Sequence, residues 1–212
     1  MPGTVHVVDD DASFRTAIER RLKKAGYAVA TYPSAQQLLD RLPNETEPAC
    51  ILLDVRIPDL SGPELQDRLG KLGSTLPIVF LSGYADVRTT VQTIKAGAED
   101  FLTKPVSSER LLHAIEQAMA HHMVSRDVKR KLDKLRELLE TLTPRERQVF
   151  ERVVQGKINK QIAQQLGATE RTIKAHRHRV MEKMKVQSLA ELVSVAERLG
   201  IIASDPVENR NS

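Results

Sequence analysis

ACILLDVRIPDLSGPE, residues 49–64, decides the architecture. It opens on an unbroken apolar run rather than an alternating one. A strand buried on both faces reads this way, and such strands belong to parallel sheets. The run stops at Asp54, and the breaker-rich IPDLSGPE at 57–64 then leads into a helix expected to reach about Leu72.

Working outward, the same pattern recurs. TVHVVD at 4–9, YAVATY at 27–32, LPIVFLS at 76–82 and residues 99–103 read as further strands. Helical intervals lie between them. Phe14, Ile18, Leu22 and Ala25 mark one helix that Gly26 stops, and Ser34 opens another through about Leu42. Asp86 is expected to cap a helix running to Lys95, with Gly97 closing it, and the last helix starts near Ser107. Five strands alternating with five helices make a doubly wound α/β (βα)5 domain with a parallel sheet.

Such sheets bind ligands at the carboxyl ends of their strands. Here those ends carry Asp9 and Asp10, Asp54, Ser82 and, in FLTKP, Lys104. Three carboxylates at one edge repel unless a cation joins them, and hard oxygen ligands suit Mg²⁺. A lysine and a hydroxyl complete a pocket for a phosphoryl group. Asp11 reads as a helix cap and Cys50 as a small core residue.

The chain of 212 residues is too long for one small domain, and its charge is uneven. Residues 1–122 hold 13 Lys and Arg against 16 Asp and Glu, whereas residues 143–212 hold 13 against 8. An acidic front joined to a basic rear suits a regulatory module coupled to a polyanion binder. There is no apolar run of membrane-spanning length, no secretory signal pattern and a single cysteine, so a cytoplasmic setting without membrane contact is expected.

From Ser107 to Leu142 there is no Gly or Pro, so residues 123–142 read as a helical linker. Val128, Leu132, Leu135, Leu139 and Leu142 step by four and three. That seam suits either packing on the chain's own domains or a short parallel coiled coil between two chains. His121 and His122 cannot share a helix face and read as solvated.

Residues 143–204 read as four helices, with 205–212 as a disordered tail. Thr143 caps the first, with Pro144 next and Glu146 completing a capping box. Asn159, Thr169 and Ser188 are the expected caps of the others, and Gly167–Ala168 makes a tight turn. A helix, tight turn and helix at 159–184 form a helix-turn-helix unit. Its second helix, about 170–184, offers Arg171, Lys174, Arg177, His178 and Arg179 on one side and Ile173, Val180 and Met184 on an apolar side.

The pieces VVDDD, ILLDVRIPDLSG, PIVFLSG and AGAEDFLTKP make residues 5–120 resemble the receiver domain of two-component response regulators. The resemblance implies that Asp54 takes a phosphoryl group from a sensor histidine kinase. It implies Mg²⁺ held by Asp9, Asp10, Asp54 and the main-chain carbonyl of Arg56. It also implies that Lys104 and Ser82 contact the phosphoryl oxygens, that Phe101 is a switch aromatic, and that the Lys104–Pro105 bond is cis. Haloacid dehalogenase-like phosphatases also phosphorylate an aspartate, but need a second aspartate where this chain has Arg56. No enzymatic turnover beyond slow self-dephosphorylation is therefore expected.

TPRE, NKQIA, RTIKAH and EKM make the rear domain similar to LuxR/FixJ-type DNA-binding domains. That likeness places Lys174, Ala175 and His178 at base edges, joined by Arg177, with Arg171 on the same side. It places Thr172, Lys160 and Asn159 at phosphates. His176 points inward or meets the backbone. Together with GYADV at 83–87, the whole resembles the FixJ subgroup of NarL/FixJ response regulators. A phosphoprotein that regulates transcription is implied, with promoter DNA, a phosphorylation-dependent homodimer and RNA polymerase as partners. The alternative is a constitutive linker-mediated dimer that phosphorylation only tunes.

Overall fold

The computed structural model describes residues 3–43, 45–58, 60–83 and 87–202. In chain order the first compact unit holds β1 (Thr4–Val8), α1 (Ala12–Lys24), β2 (Ala28–Tyr32), α2 (Ala35–Asp40), β3 (Ala49–Asp54), α3 (Gly62–Lys71), β4 (Ile78–Ser82), α4 (Val87–Lys95) and β5 (Asp100–Thr103). The sheet is parallel throughout, in the order β2-β1-β3-β4-β5. Successive residues of each strand alternate between two cores. Val5, Val7, Cys50, Leu52, Val79 and Leu81 meet Ile18 and Leu22 of α1 on one face. Val8, Ile51, Leu53, Ile78 and Phe80 meet Leu38, Leu65 and Leu69 on the other. This two-sided burial is why β3 carries no polar alternation. Cys50 sits inside the first core, where burial pushes its thiol up to about 12.

The chain order reverses beside β1, whose two neighbours are β2 and β3, so a crevice opens at their carboxyl ends. Val8 pairs with Leu53, Asp54 with Leu81, and Ser82 with Thr103. The residues that follow or close these strands, Asp9, Asp54, Ser82 and Lys104, therefore come to one row. Asp11 caps α1, its carboxylate accepting from the amides of Ser13 and Phe14. The Lys104–Pro105 peptide is cis. Asp86 and the tail from 205 lie outside the described residues.

α5 (Ser108–Glu140) is one helix, and the two compact units meet within it, Met1–Asp127 and Val128–Ser212. Its start belongs to the first unit, with Leu111, Ala114, Ile115 and Ala118 in the core. The second unit adds α6 (Pro144–Val154), α7 (Asn159–Leu166), α8 (Glu170–Lys183) and α9 (Leu189–Arg198). The Thr143–Glu146 capping box forms, and Thr169 and Ser188 cap α8 and α9. Gly167 ends α7 in the left-handed region at φ 60°, where a glycine carries no steric cost.

Three expectations need correcting. The C-terminal half of the linker seam is committed to the chain's own fold: Leu139 and Leu142 are buried with Val149, Phe150 and Ile173, and Leu135 and Leu138 pack against them, while Val128 stays exposed. The end of α5 is thus part of the second unit's core, and the chain divides into its two compact units at 127/128. His122 is not solvated: it is buried, and its Nδ1 accepts the Ala49 amide at 3.0 Å. Its neighbour His121 meets Glu99 at 2.5 Å. Asn159 does not cap α7. Ile158 holds the cap position, its amide donating to Gln161 Oε1 at 3.1 Å.

Candidate functional site

Each acidic residue of the first site is aimed by where its strand stops. Asp9 is fully buried just past β1; its Oδ1 accepts the Asp11 amide at 2.9 Å, and its main-chain carbonyl accepts from Arg15 at 2.6 Å. Asp54 closes β3 with its Oδ1 accepting the Arg56 amide at 2.8 Å. Asp10 stands exposed beside them. One carboxylate oxygen from each of the three falls within 4.8 Å of the others. Lys104 bridges two of them, its Nζ lying 2.6 Å from Asp9 Oδ2 and 2.5 Å from Asp54 Oδ2.

The electrostatics follow from that geometry. Burial raises the pKa of Asp9, against the opposing pull of Lys104 and the Asp11 amide. Burial works against the charge on Lys104, yet its hydrogen bonds to Asp54 and Asp9 outweigh that and hold it above the usual lysine range. The donor set is oxygen-only and compact, and it fits a small hard cation such as Mg²⁺. Ser82 is buried on the adjacent strand, where its carbonyl accepts the Lys104 amide at 2.7 Å. Phe101 is half-buried and stacks on Phe80 at 6.3 Å between ring centroids.

Two residues of this pocket carried no functional signal in the sequence. Gly62 opens α3 against the back of Asp54: a Cβ there would lie 2.7 Å from the Asp54 carbonyl oxygen and 2.8 Å from Phe80. Phe14, which helical spacing marks only as core, is half-buried, with the Lys104 ammonium 3.9 Å from its ring centroid.

The second site is built on α8. Ile173, Val180 and Met184 are buried in the second unit's core. This leaves Arg171, Lys174, Ala175 and His178, all exposed and spaced by three and four, on one face. His178 approaches Glu182 at 3.8 Å. Thr169 Oγ1 accepts the Thr172 amide at 3.2 Å and bonds Thr172 Oγ1 at 2.8 Å, holding the first turn. Behind it, Glu146 is buried and bonded to Lys183 at 2.6 Å; that bond and the Thr143 amide hold its carboxyl below the ordinary range. Arg145 bonds the Leu166 carbonyl at the end of α7.

Residues 5–116 match the response regulator receiver domain family, and residues 140–196 match the luxR family of bacterial regulatory proteins. The chain belongs to the response regulators. Among its relatives, nodulation protein W of Bradyrhizobium diazoefficiens is 40% identical over 94% of this chain and 88% of that protein. The transcriptional regulatory protein FixJ of the same organism is 38% identical, covering 94% of this chain and 97% of its own. The solved structure of the response regulator StyR has a TM-score of 0.73 and 41% identity, over 93% of this chain and 100% of that one. The protein is a response-regulator transcription factor, with a receiver domain followed by a LuxR-type helix-turn-helix domain.

Within this response regulator, Asp9, Asp10, Asp54, Lys104 and Ser82 come together at one sheet edge, as the sequence led one to expect. Arg56 is exposed next to them, with its amide committed to Asp54. In the helix-turn-helix unit, Arg177 and Asn159 meet each other. Arg177 is half-buried and donates to Asn159 Oδ1 at 2.9 Å, so the pair ties α8 to α7 rather than reaching outward. Lys160 is exposed at the start of α7, and His176 is half-buried with its Nδ1 enclosed. No helix among the described residues is long and apolar enough to cross a membrane.

Proposed function

We propose that this response regulator is switched by phosphorylation of Asp54 and that the switched form binds promoter DNA as a homodimer. One observation carries the reading: the Asp54 carboxylate stands at a sheet edge, 2.5 Å from an ammonium and clustered with two further carboxylates. Phosphoryl transfer needs alignment and charge neutralisation more than covalent help. An Asp54 oxygen attacks the phosphorus of a kinase phosphohistidine. A P–O bond forms, the P–N bond breaks, and the imidazole leaves. Asp9, Asp10, Asp54 and the Arg56 carbonyl would hold Mg²⁺, which would supply charge neutralisation for the transferring group. Lys104 and Ser82 then hold phosphoryl oxygens, and Phe101 re-packs against Phe80. The protein acts in the cytoplasm as a phosphoacceptor, with no turnover beyond slow self-dephosphorylation.

The face formed by α4, β5 and the start of α5 then pairs with a second copy. Val87, Val91 and Ile94 of α4 are exposed apolar side chains suited to it. Pairing sets two α8 helices against two half-sites, and Lys174, Ala175 and His178 read base edges while Lys160 and Thr172 meet phosphates. RNA polymerase is the downstream partner. The constitutive linker dimer has weaker support. Leu139 and Leu142 are committed to their own core, and Lys129, Lys131 and Arg136 flank the remaining seam with like charge.

The test uses the full chain with Mg²⁺ and phosphoramidate. Phosphate uptake by intact mass, sedimentation and promoter binding are read together, for wild type and Asp54→Asn. Uptake of one phosphate, dimer formation and tighter binding, all absent in Asp54→Asn, are expected. The same response in Asp54→Asn would refute the assignment.

A further inference from the structure

The Lys104 ammonium has three N–H donors on a flexible four-carbon stem. Two are directed at Asp9 and Asp54, at 2.6 and 2.5 Å. Its remaining side faces an aromatic ring, 3.9 Å from the Phe14 centroid, rather than open water. The Lys104 side chain is only 19% exposed. A ring face attracts a cation through its quadrupole, and more strongly where water is excluded. Phe14 is two residues into α1 beyond Ala12, on the turn that Asp11 caps, and packs at the edge of the core around Ile18 and Leu22. The ring is therefore fixed by the fold and independent of the carboxylates.

We infer that Phe14 is a positioning residue for phosphoryl transfer, holding the Lys104 ammonium over Asp54 when the carboxylates' charge is shared with a cation and a phosphoryl group. The inference rests on Asp54 being the phosphoacceptor. Its physical content is a division of labour. The two carboxylates attract Lys104 only as long as their charge is free, and a divalent cation competes for that charge. The ring's attraction does not change with the state of the carboxylates. Without it, a lysine whose carboxylate partners are engaged regains the freedom to swing into solvent and must be re-ordered at each transfer.

The experiment compares Phe14→Leu, which keeps apolar bulk, with Phe14→Tyr, which keeps the ring. Each is made alone and with Lys104→Met, in the full chain. Rates of phosphate uptake from phosphoramidate and of acyl-phosphate hydrolysis are measured, with thermal unfolding as a check on folding. The Lys104 ε-methylene proton shift is recorded in the unphosphorylated protein. Phe14→Leu should slow uptake about 3- to 10-fold, the size such a contact carries when partly desolvated. Phe14→Tyr should restore most of that loss. With Lys104→Met already present, Phe14→Leu should have no further effect on uptake. The ε-methylene protons should be displaced upfield by the ring in wild type and not in Phe14→Leu. Wild-type uptake in Phe14→Leu, or an equal loss in the Lys104→Met background, overturns the inference while leaving Asp54 as phosphoacceptor. Failure of wild type to take up phosphate overturns the reading of Asp54, and an undisplaced ε-methylene signal separately overturns the ring contact.

Discussion

Replacing Gly62 with alanine sets two rules against each other. In a helix, alanine is favoured over glycine by up to about 1 kcal/mol, so propensity alone favours the variant. The structure points the other way. The new Cβ would lie 2.7 Å from the Asp54 carbonyl oxygen and 2.8 Å from Phe80 Cε1. Neither partner yields easily: one is the backbone at the end of β3, and the other is a fully buried core aromatic. Forcing a methyl group into a filled space costs about 1–3 kcal/mol, which exceeds the propensity gain. With the full propensity gain offset, a net loss of up to about 2 kcal/mol should lower the first unit's midpoint by up to roughly 8 °C. Tyr27 and Tyr32 belong to that unit, and residues 128–212 hold no tyrosine, so near-ultraviolet tyrosine dichroism of the full chain follows it selectively. Phosphate uptake should fall as well, because Asp54 is the group displaced. A midpoint unchanged or raised in Gly62→Ala would refute the close approach as the reason for a glycine there.

Two further outcomes are expected. His6 is buried, with Nδ1 3.1 Å from the Tyr32 hydroxyl, and burial lowers its pKa from 6.5 to about 4. Between those values the unfolded chain binds a proton that the folded chain refuses, so this contribution is complete above pH 6.5 and is lost as pH falls towards 4. Urea stability of wild type should therefore drop by about 2 kcal/mol more than that of His6→Phe between neutral pH and pH 4.5, and parallel curves would contradict this. On DNA, Lys174→Ala should weaken a preferred site more than random sequence. Lys160→Ala should weaken both alike and reduce the salt slope by about one; identical behaviour of the two variants would remove the division between base and phosphate contacts.

Much of the front domain is readable from residue order because chemistry and architecture coincide there. Each apolar run ends at a residue with a charge or hydroxyl, and a parallel sheet necessarily gathers such ends. The same holds for Thr143, Thr169 and Ser188, whose capping is a local matter of a few residues. What escaped were contacts between distant segments. His122 looks like half of a solvated pair until the amide of Ala49 is found against it. Residue order does not reveal that Asn159, eighteen residues earlier, accepts the Arg177 guanidinium. Helical spacing makes Phe14 an ordinary core residue, and nothing nearby reveals Lys104, ninety residues on, above its ring. The leucine seam misled for a related reason: heptad spacing describes a face that wants burial without naming what buries it.

The burial of Leu139 and Leu142 with Phe150 and Ile173 also governs where this protein tolerates being cut. A fragment started at Thr143, the tidy boundary that capping residues suggest, would lack two of its own core side chains and the turn of helix that presents them. It would expose the apolar surface of Val149 and Phe150 and invite self-association. A DNA-binding fragment meant to stand alone should begin upstream of Leu135, and a chimera joining this rear domain to another sensor module should carry the end of α5 with it.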